Sequence, residues 1–192
     1  VYTNPLGAVN TDQFTGWTPA VNTFLFSHKY NWANLEPTGN QDTVIWASTN
    51  EVSTLNPFAA TLSFDGVVTS VAYDELISIN PDGEIVPSAA EEYEVVDETT
   101  LQFTLRDGLT FHDGEDLTVE DVKFTYDYLE QHEEPSTAAT REFIDSVEIT
   151  NDSTIQYNLT EPNATSETDL TNLPILPKHH WEGLVEDRGV EN

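Results

Sequence analysis

FTLRDGLTFHDGEDLTVEDV, residues 103–122, is the stretch that decides how this chain folds. Apolar and polar side chains alternate over residues 101–106, which is the two-residue period of a half-buried strand. Two Asp-Gly steps, at 107–108 and 113–114, predict tight turns, because glycine readily adopts the positive φ that such turns use. Between the turns, the apolar residues of Leu109–Phe111 predict a further short strand.

A helix is predicted directly after the second turn. Thr118 is a good N-cap residue, and Asp121 stands three positions later, where its carboxylate can complete a capping box. Apolar residues then recur at helical spacing and predict one buried stripe, made of Val122, Tyr126 and Leu129. The residues at 133–135, Glu-Glu-Pro, predict the end of this helix.

The flanking sequence predicts further helices and strands. A helix is expected from Asp65 onward, with Val67, Val68, Val71, Ala72 and Leu76 as its apolar face. Asn80-Pro81-Asp82-Gly83 predicts a turn. Short strands are predicted at residues 43–48, 77–79, 84–86, 93–96, 147–149 and 155–159. Residues 1–37 and the segment around Pro174, Pro177 and residues 179–181 are predicted to be mostly irregular. The pattern is that of a mixed α/β or α+β chain rich in hairpins.

The composition excludes several classes of function. The chain has 35 acidic and 6 basic residues and a formal net charge of -29, so nucleic acid and anionic membrane would repel it. Disorder is not expected, because 38% of the residues are hydrophobic and they fall in periodic segments. The acidic residues are spread along the chain, which indicates a protein adapted to concentrated salt. At about 1 M salt the Debye length is only about 3 Å, so the carboxylates barely repel one another. No apolar run reaches the about 18 residues that suggest a membrane span.

The sequence gives only weak signals for a catalytic or a metal site. His112, Asp113, Glu115 and Asp116 are suitable ligand types, but the Asp-Gly step favours a structural turn. His179 and His180 are neighbours, and on an extended chain they would point apart, which disfavours a zinc pair. We therefore predict no metal site and no cofactor. Cysteine is absent, and no catalytic motif of the hydrolase, zinc-protease or phosphate-loop type occurs, so no enzyme is predicted. Sequons at Asn151, Asn158 and Asn163 are compatible with export.

Five segments in a fixed order resemble the family 5 extracellular solute-binding proteins, the oligopeptide, dipeptide and nickel receptors of ABC importers. FTLRDGLTFHDG leading into LTVEDV is the most specific match. The matching segments are TLNP (54–57), YDELISINPDGEIVPSAAEEYEV (73–95), LQFTLRDGLTFHDGEDLTVEDVKFTY (101–126), VEITNDSTIQYNLTEP (147–162) and LPILPKHHWE (173–182).

The resemblance implies part of a type II periplasmic-binding-protein-like fold with a hairpin-rich second subdomain. Members of the family bind ligand in a cleft between two lobes that close by hinge motion. They commonly hold peptides through main-chain hydrogen bonds. In relatives the segment shortly after the TLNP-like turn touches the ligand, which implies Thr61, Leu62 and Ser63 as ligand contacts here.

The resemblance also implies a division of the chain. Residues 1–38, with NTDQFTGWTP and NLEP, resemble the C-terminal end of the same family, whereas residues 39–192 resemble its N-terminal part. The latter divides into a first-lobe strand and helix (39–76), a hairpin-rich subdomain (77–162) and a return segment (163–192). Tandem duplication, circular permutation and an unrelated N-terminal extension remain alternatives. Residues 1–37 are expected to pack aromatic side chains on the strand at 43–48.

The implied function is the substrate-binding component of an importer outside the cell, at the cell surface and membrane-anchored in the full-length protein. Its expected partners are a peptide or another small solute, nickel included, and the membrane subunits of an ABC importer. One cleft wall is expected to lie outside these 192 residues, so they are expected to bind ligand weakly or not at all alone. A surface or S-layer-like structural module without ligand is the alternative from another class.

Overall fold

The computed structural model describes residues 13–16, 29–40, 43–44, 51–60, 63–132, 138–171 and 173–188, with the backbone alone at 63, 64, 139 and 185–188. The chain divides into two compact units, Val1–Ala72 with Ile79–Glu84 and Tyr73–Ser78 with Ile85–Asn192. Each unit is described separately below. In the described ranges no helix has both the length and the apolar character that crossing a membrane requires.

The described residues of Val1–Ala72 form two short strands and two helices. Strand β1 (Phe14–Thr15) pairs antiparallel with β2 (Glu36–Pro37), and helix α1 (Lys29–Ala33) lies between them in sequence. Helix α2 (Ser63–Ala72) packs against α1. The prediction that residues 1–37 are irregular is therefore wrong for their described part, since β1, α1 and β2 all fall within it.

Gly16, directly after β1, allows the backbone to pass close to the Asn34 carbonyl. Its φ of 91° is one that side chains rarely adopt, and an added Cβ would lie 1.8 Å from the carbonyl oxygen of Asn34. The predicted strand at 43–48 is not seen at residues 43–44, and residues 45–48 lie outside the described ranges. The proposed packing of residues 1–37 on that strand stays a prediction.

The second unit is built on a four-stranded antiparallel sheet in the order β5-β6-β8-β7. Strand β3 (Ile77–Ile79) begins in this unit and ends at Ile79, the first residue of the Ile79–Glu84 segment of the first unit, whereas β4 (Ile85–Pro87) belongs to the second unit. The remaining elements are β5 (Ala90–Asp97), β6 (Thr100–Leu105), α3 (Val119–Gln131), α4 (Ala138–Phe143), β7 (Ile144–Asn151), β8 (Thr154–Leu159), α5 (Ser166–Leu170) and α6 (Lys178–Arg188).

The alternation seen in the sequence explains the two faces of this sheet. Leu101, Phe103 and Leu105 are all buried, and the side chains between them are half-buried. Register places Leu101 opposite Tyr157, and the Phe103 ring meets the Tyr157 ring edge-on, with centroids 5.5 Å apart. Helix α3 packs against β7 and β8 and buries Val122, Tyr126 and Leu129, the stripe predicted from the sequence. The core of the unit lies between α3 and the sheet.

Several predicted elements are confirmed. The capping box is present, with Thr118 as N-cap and Asp121 bonded back to it. Helix α3 ends at Gln131, just before residues 133–135, which lie outside the described ranges. Gly83, Gly108 and Gly114 all have positive φ, as their turns require. The helix from Asp65 onward is confirmed as α2, but its predicted apolar face is not: α2 ends at Ala72 and leaves Leu76 beyond it, and Val71 is 47% exposed.

Two further predictions about secondary structure are wrong. Leu109–Phe111 does not form a strand, because residues 109–117 hydrogen bond among themselves in a compact loop. The Phe111 N–H donates to the Glu115 carbonyl, and the Thr110–Asp116 bridge is isolated. The C-terminal segment is not mostly irregular either, since it contains α5 and α6. Pro177 stands just before α6, a position where proline is compatible with a helix start.

Candidate ligand-binding site

The residues implied as ligand contacts fall between two described parts of the first unit. Thr61 and Leu62 lie outside the described residues, and Ser63 is the first residue of α2, with only its backbone described. Their role as ligand contacts therefore stays a prediction. The structure does describe the turn before them and the helix after them.

The turn at Thr54–Pro57 is shaped by the side chain of Asn56. Its Oδ1 accepts hydrogen bonds from the backbone N–H groups of Phe58, at 2.9 Å, and Ala59, at 3.4 Å. The Asn56 N–H donates to Thr54 Oγ1 at 3.0 Å. Phe58 is only 2% exposed and anchors the turn in the unit. Asparagine favours this geometry because its short side chain replaces a backbone acceptor.

Asp65 connects the turn to the first turn of α2. Its side chain is buried, and it accepts a hydrogen bond from the Ser53 N–H at 2.8 Å and another from the Ser53 hydroxyl. These bonds, the hydroxyl bond first, hold the pKa of the Asp65 carboxyl below its usual value of 3.8, although burial acts in the opposite direction. The carboxylate thereby links Ser53, before the turn, to the first turn of α2, on the two sides of residues 61–63.

In the second unit, Asp121 joins α3 to the segment 173–178, which ends at the first residue of α6. Its Oδ2 accepts hydrogen bonds from the Thr118 N–H at 2.9 Å and the Thr118 hydroxyl at 3.0 Å. Its Oδ1 accepts the Lys178 N–H at 2.9 Å, across 57 residues. The sequence indicated the first half of this arrangement through the capping box. It contained no local signal for the second half.

Thr125 makes a second connection between the same two segments. Its hydroxyl donates to the Asp121 carbonyl at 2.8 Å and accepts the Leu176 N–H at 2.9 Å. Thr125 is 2% exposed, and Leu176 is fully buried. LTVEDVKFT and LPILPKHH, which are separate motifs in the sequence, thus form one buried hydrogen-bonded unit.

Arg106 has a structural part in the same scaffold. Its backbone N–H donates to the Ala89 carbonyl at 3.1 Å, and its Nε donates to the Ala90 carbonyl at 3.2 Å. The LRDG motif therefore holds the start of β5 against the end of β6. This agrees with the interpretation that the matched motifs shape the scaffold.

His179 and His180 lie in the first turn of α6, and both imidazoles contact Asp113. Their Nε2 atoms are 2.7 and 2.8 Å from the same Asp113 Oδ2. The expectation that the two histidines lie on an extended chain and point apart is therefore wrong, because the segment is helical. The His179 imidazole, together with the Glu115 N–H, lowers the pKa of the Asp113 carboxyl to about 2.

Comparison with known proteins agrees with this architecture. Residues 84–190 match the family described as Bacterial extracellular solute-binding proteins, family 5 Middle. A protein of Brucella ovis named as an ABC transporter peptide-binding protein is 35% identical over 143 residues, covering 71% of this chain and 26% of its own length. The crystal structure of NikZ from Campylobacter jejuni with Ni(L-His) is similar, at 28% identity and a TM-score of 0.61, covering 69% of this chain and 27% of NikZ.

A second solved structure has the same fold. It is the mannohexaose-bound periplasmic oligopeptide-binding protein of Thermotoga maritima, with 28% identity and a TM-score of 0.56, covering 68% of this chain and 24% of that protein. The fold is that of a periplasmic binding protein, in part. The chain belongs to the family 5 extracellular solute-binding proteins. It spans about a quarter of the length of the curated relatives that it matches.

Proposed function

We propose that this chain is part of the substrate-binding component of an ABC-type importer, which captures a peptide or a related small solute outside the cell. The observation that carries the proposal is the connection of α3 to the segment 173–178, at the start of α6, through Asp121 and Thr125. This connection lies in the part of the chain that matches the family. In this role the protein binds and delivers its ligand without transforming it, and its protein partners are the membrane subunits of the importer.

A peptide is the first choice of ligand class. The Brucella relative, at 35% identity, is named for peptide binding. The Campylobacter structure contains Ni(L-His) and the Thermotoga structure contains mannohexaose, so the fold accommodates other solutes in those proteins. We place the main-chain contacts to the ligand at Thr61, Leu62 and Ser63. The Ser53–Asp65 contact supports this placement, because it limits the freedom of the chain between these two residues before any ligand arrives.

The proposed setting is the outer cell surface in concentrated salt, with a membrane anchor on the full-length protein. A net charge of -29 is tolerable there, because screening at about 1 M salt confines repulsion between carboxylates to about 3 Å. The same charge keeps the protein soluble under these conditions.

The test uses the protein from the whole reading frame that contains this chain, purified in about 1 M KCl so that charge repulsion is screened. Thermal unfolding and calorimetry are measured with a library of short peptides, and separately with a nickel–histidine chelate and an oligosaccharide. We expect saturable binding of peptides and an increase in the unfolding temperature. Binding of the chelate alone or of the sugar alone would show that the ligand is not a peptide, but it would still support a receptor function.

Variants at Leu62 separate main-chain from side-chain contacts. L62P removes a backbone N–H and is expected to weaken ligand binding, whereas L62A keeps that N–H and is expected to bind nearly as the parent protein does. Equal binding by both variants would contradict the placement at residues 61–63. No heat and no thermal shift with any ligand would favour a structural surface module over a receptor.

A further inference from the structure

The strongest unassigned feature of the described residues is the cluster of Asp113, His179 and His180. Asp113 lies in the turn of the compact loop after β6, and the two histidines lie in the first turn of α6. The three ligand atoms, two imidazole nitrogens and one carboxylate oxygen, all lie within 4.8 Å of one another. The two imidazole rings are 4.3 Å apart, and the Phe111 ring lies 5.6 Å from His179.

The donor set has the chemistry of a transition-metal site. Imidazole nitrogen suits zinc, nickel, copper and cobalt, and a carboxylate is a common third ligand. Three protein ligands leave further coordination positions for water, as in open zinc sites. With metal–ligand bonds of about 2.0–2.1 Å, tetrahedral coordination separates ligand atoms by about 3.3 Å. The two Nε2–Oδ2 pairs, at 2.7 and 2.8 Å, would therefore open by about half an ångström.

The surroundings allow that small movement and favour a cation. The three side chains are partly exposed, at 37% for Asp113, 34% for His179 and 62% for His180. An ion therefore reaches them from solvent without any unfolding. Glu115 and Asp116 are exposed acidic residues next to the cluster, and they add to the negative potential of a chain with net charge -29.

We propose that Asp113, His179 and His180 form a surface site for one divalent transition-metal ion. The bound ion would link the loop after β6 to the start of α6, which are 66 residues apart in the sequence. The site lies wholly within the second unit and does not depend on the solute-capture function. A purely hydrogen-bonded contact between the carboxylate and the two imidazoles is the alternative.

The experiment is a titration of the chelator-treated chain with Zn²⁺, and separately with Co²⁺, in about 1 M KCl, where weak ion binding to scattered carboxylates is screened. We expect one ion per chain, an increase in the unfolding temperature, and a visible Co²⁺ spectrum that indicates imidazole ligation. H179A and H180A are each expected to weaken binding by more than about tenfold, since even partners outside the coordination shell contribute that much. D113N is expected to weaken it as well.

Matched controls separate this site from general cation binding. H112A removes the neighbouring histidine, and D107N removes the same charge from the other Asp-Gly turn. Both are expected to bind the ion as the parent chain does. Circular dichroism and unfolding in EDTA show whether each variant keeps the fold. No saturable binding by the parent chain overturns the proposal in favour of hydrogen bonds alone. Weak binding of many ions, equal in all variants, would overturn the proposal in favour of nonspecific binding to carboxylates.

Discussion

Asp121 and Asp113 connect the same two parts of the molecule in different surroundings. Asp113 precedes α3, and Asp121 lies in its first turn. Asp121 contacts the start of α6 across 57 residues, and Asp113 does so across 66. Asp121 is 5% exposed and accepts backbone and hydroxyl hydrogen bonds. Asp113 is exposed and contacts two imidazoles that share its Oδ2.

The two carboxylates differ in burial, and burial determines what happens when each one is removed. Removing the buried carboxylate would leave the Lys178 N–H and the Thr118 N–H without their acceptor in a place that water reaches poorly. Removing the exposed one would leave imidazoles that water can satisfy. We therefore expect the scaffold to depend on Asp121, whereas the Asp113 contact is free to exchange a hydrogen bond for a ligand.

The largest expected effect is that of D121A. It removes three hydrogen bonds to a buried carboxylate, including the capping interaction, and should lower the free energy of unfolding by about 3 kcal/mol. Urea unfolding followed by circular dichroism measures the change. E120A is the matched control, since it removes the same charge from the neighbouring position, where the ion pair with Lys178 is long and exposed. Equal losses in both variants would show that the charge, and not the buried hydrogen bonds of Asp121, stabilises the scaffold.

T125V should have the next largest effect. Valine keeps the shape of the side chain but leaves the buried Leu176 N–H without an acceptor, at a cost of about 1–3 kcal/mol. T125S keeps the hydroxyl and is expected to lose less, through the missing methyl group alone. Unfolding of both variants in the same denaturant series checks this. A T125S chain as unstable as T125V would show that packing, and not the hydrogen bond, stabilises this position.

Sequence patterns predicted those strands and helix ends that are determined by residues close together in the chain. The alternation at 101–105 and the Thr118–Asp121 pair predicted β6 and the start of α3, because strand period and capping are set within a few residues. Long-range contacts were missed. Nothing near His179 shows that Asp113 lies beside it, and Leu109–Phe111 has the composition of a strand without a partner strand to pair with. The ligand contacts at 61–63 came from family resemblance alone.

A third carboxylate, Asp65 of the first unit, is expected to make the stability of the fold depend on pH under acid conditions. Its folded pKa lies below 3.8, so the native state releases this proton more readily than the unfolded chain does. The resulting stabilisation is fully present above about pH 4 and is lost as the pH falls through the folded value. S53A removes the hydroxyl bond, the largest cause of the shift, and should weaken this part of the acid dependence. Unfolding midpoints between pH 2 and 6 measure it.

Ser70 provides the control for the Asp65 experiment. Its hydroxyl donates to the Val67 carbonyl within α2 and does not contact a carboxylate in the described structure. S70A is therefore expected to change stability equally at all pH values. An acid dependence identical in S53A and the parent chain would show that the backbone bonds alone hold the pKa of Asp65 down.

The smallest expected effect is that of D113N in EDTA, without metal. Asparagine retains an oxygen that can accept the Glu115 N–H, at present 3.2 Å from Asp113 Oδ1, so the turn should persist. The partly exposed imidazoles of His179 and His180 regain water as a partner. We expect the unfolding midpoint to fall by a small fraction of the D121A change and to match D107N, which has the same charge change on the other Asp-Gly turn. A D113N loss as large as that of D121A would mean that the exposed cluster stabilises the scaffold as the buried carboxylate does.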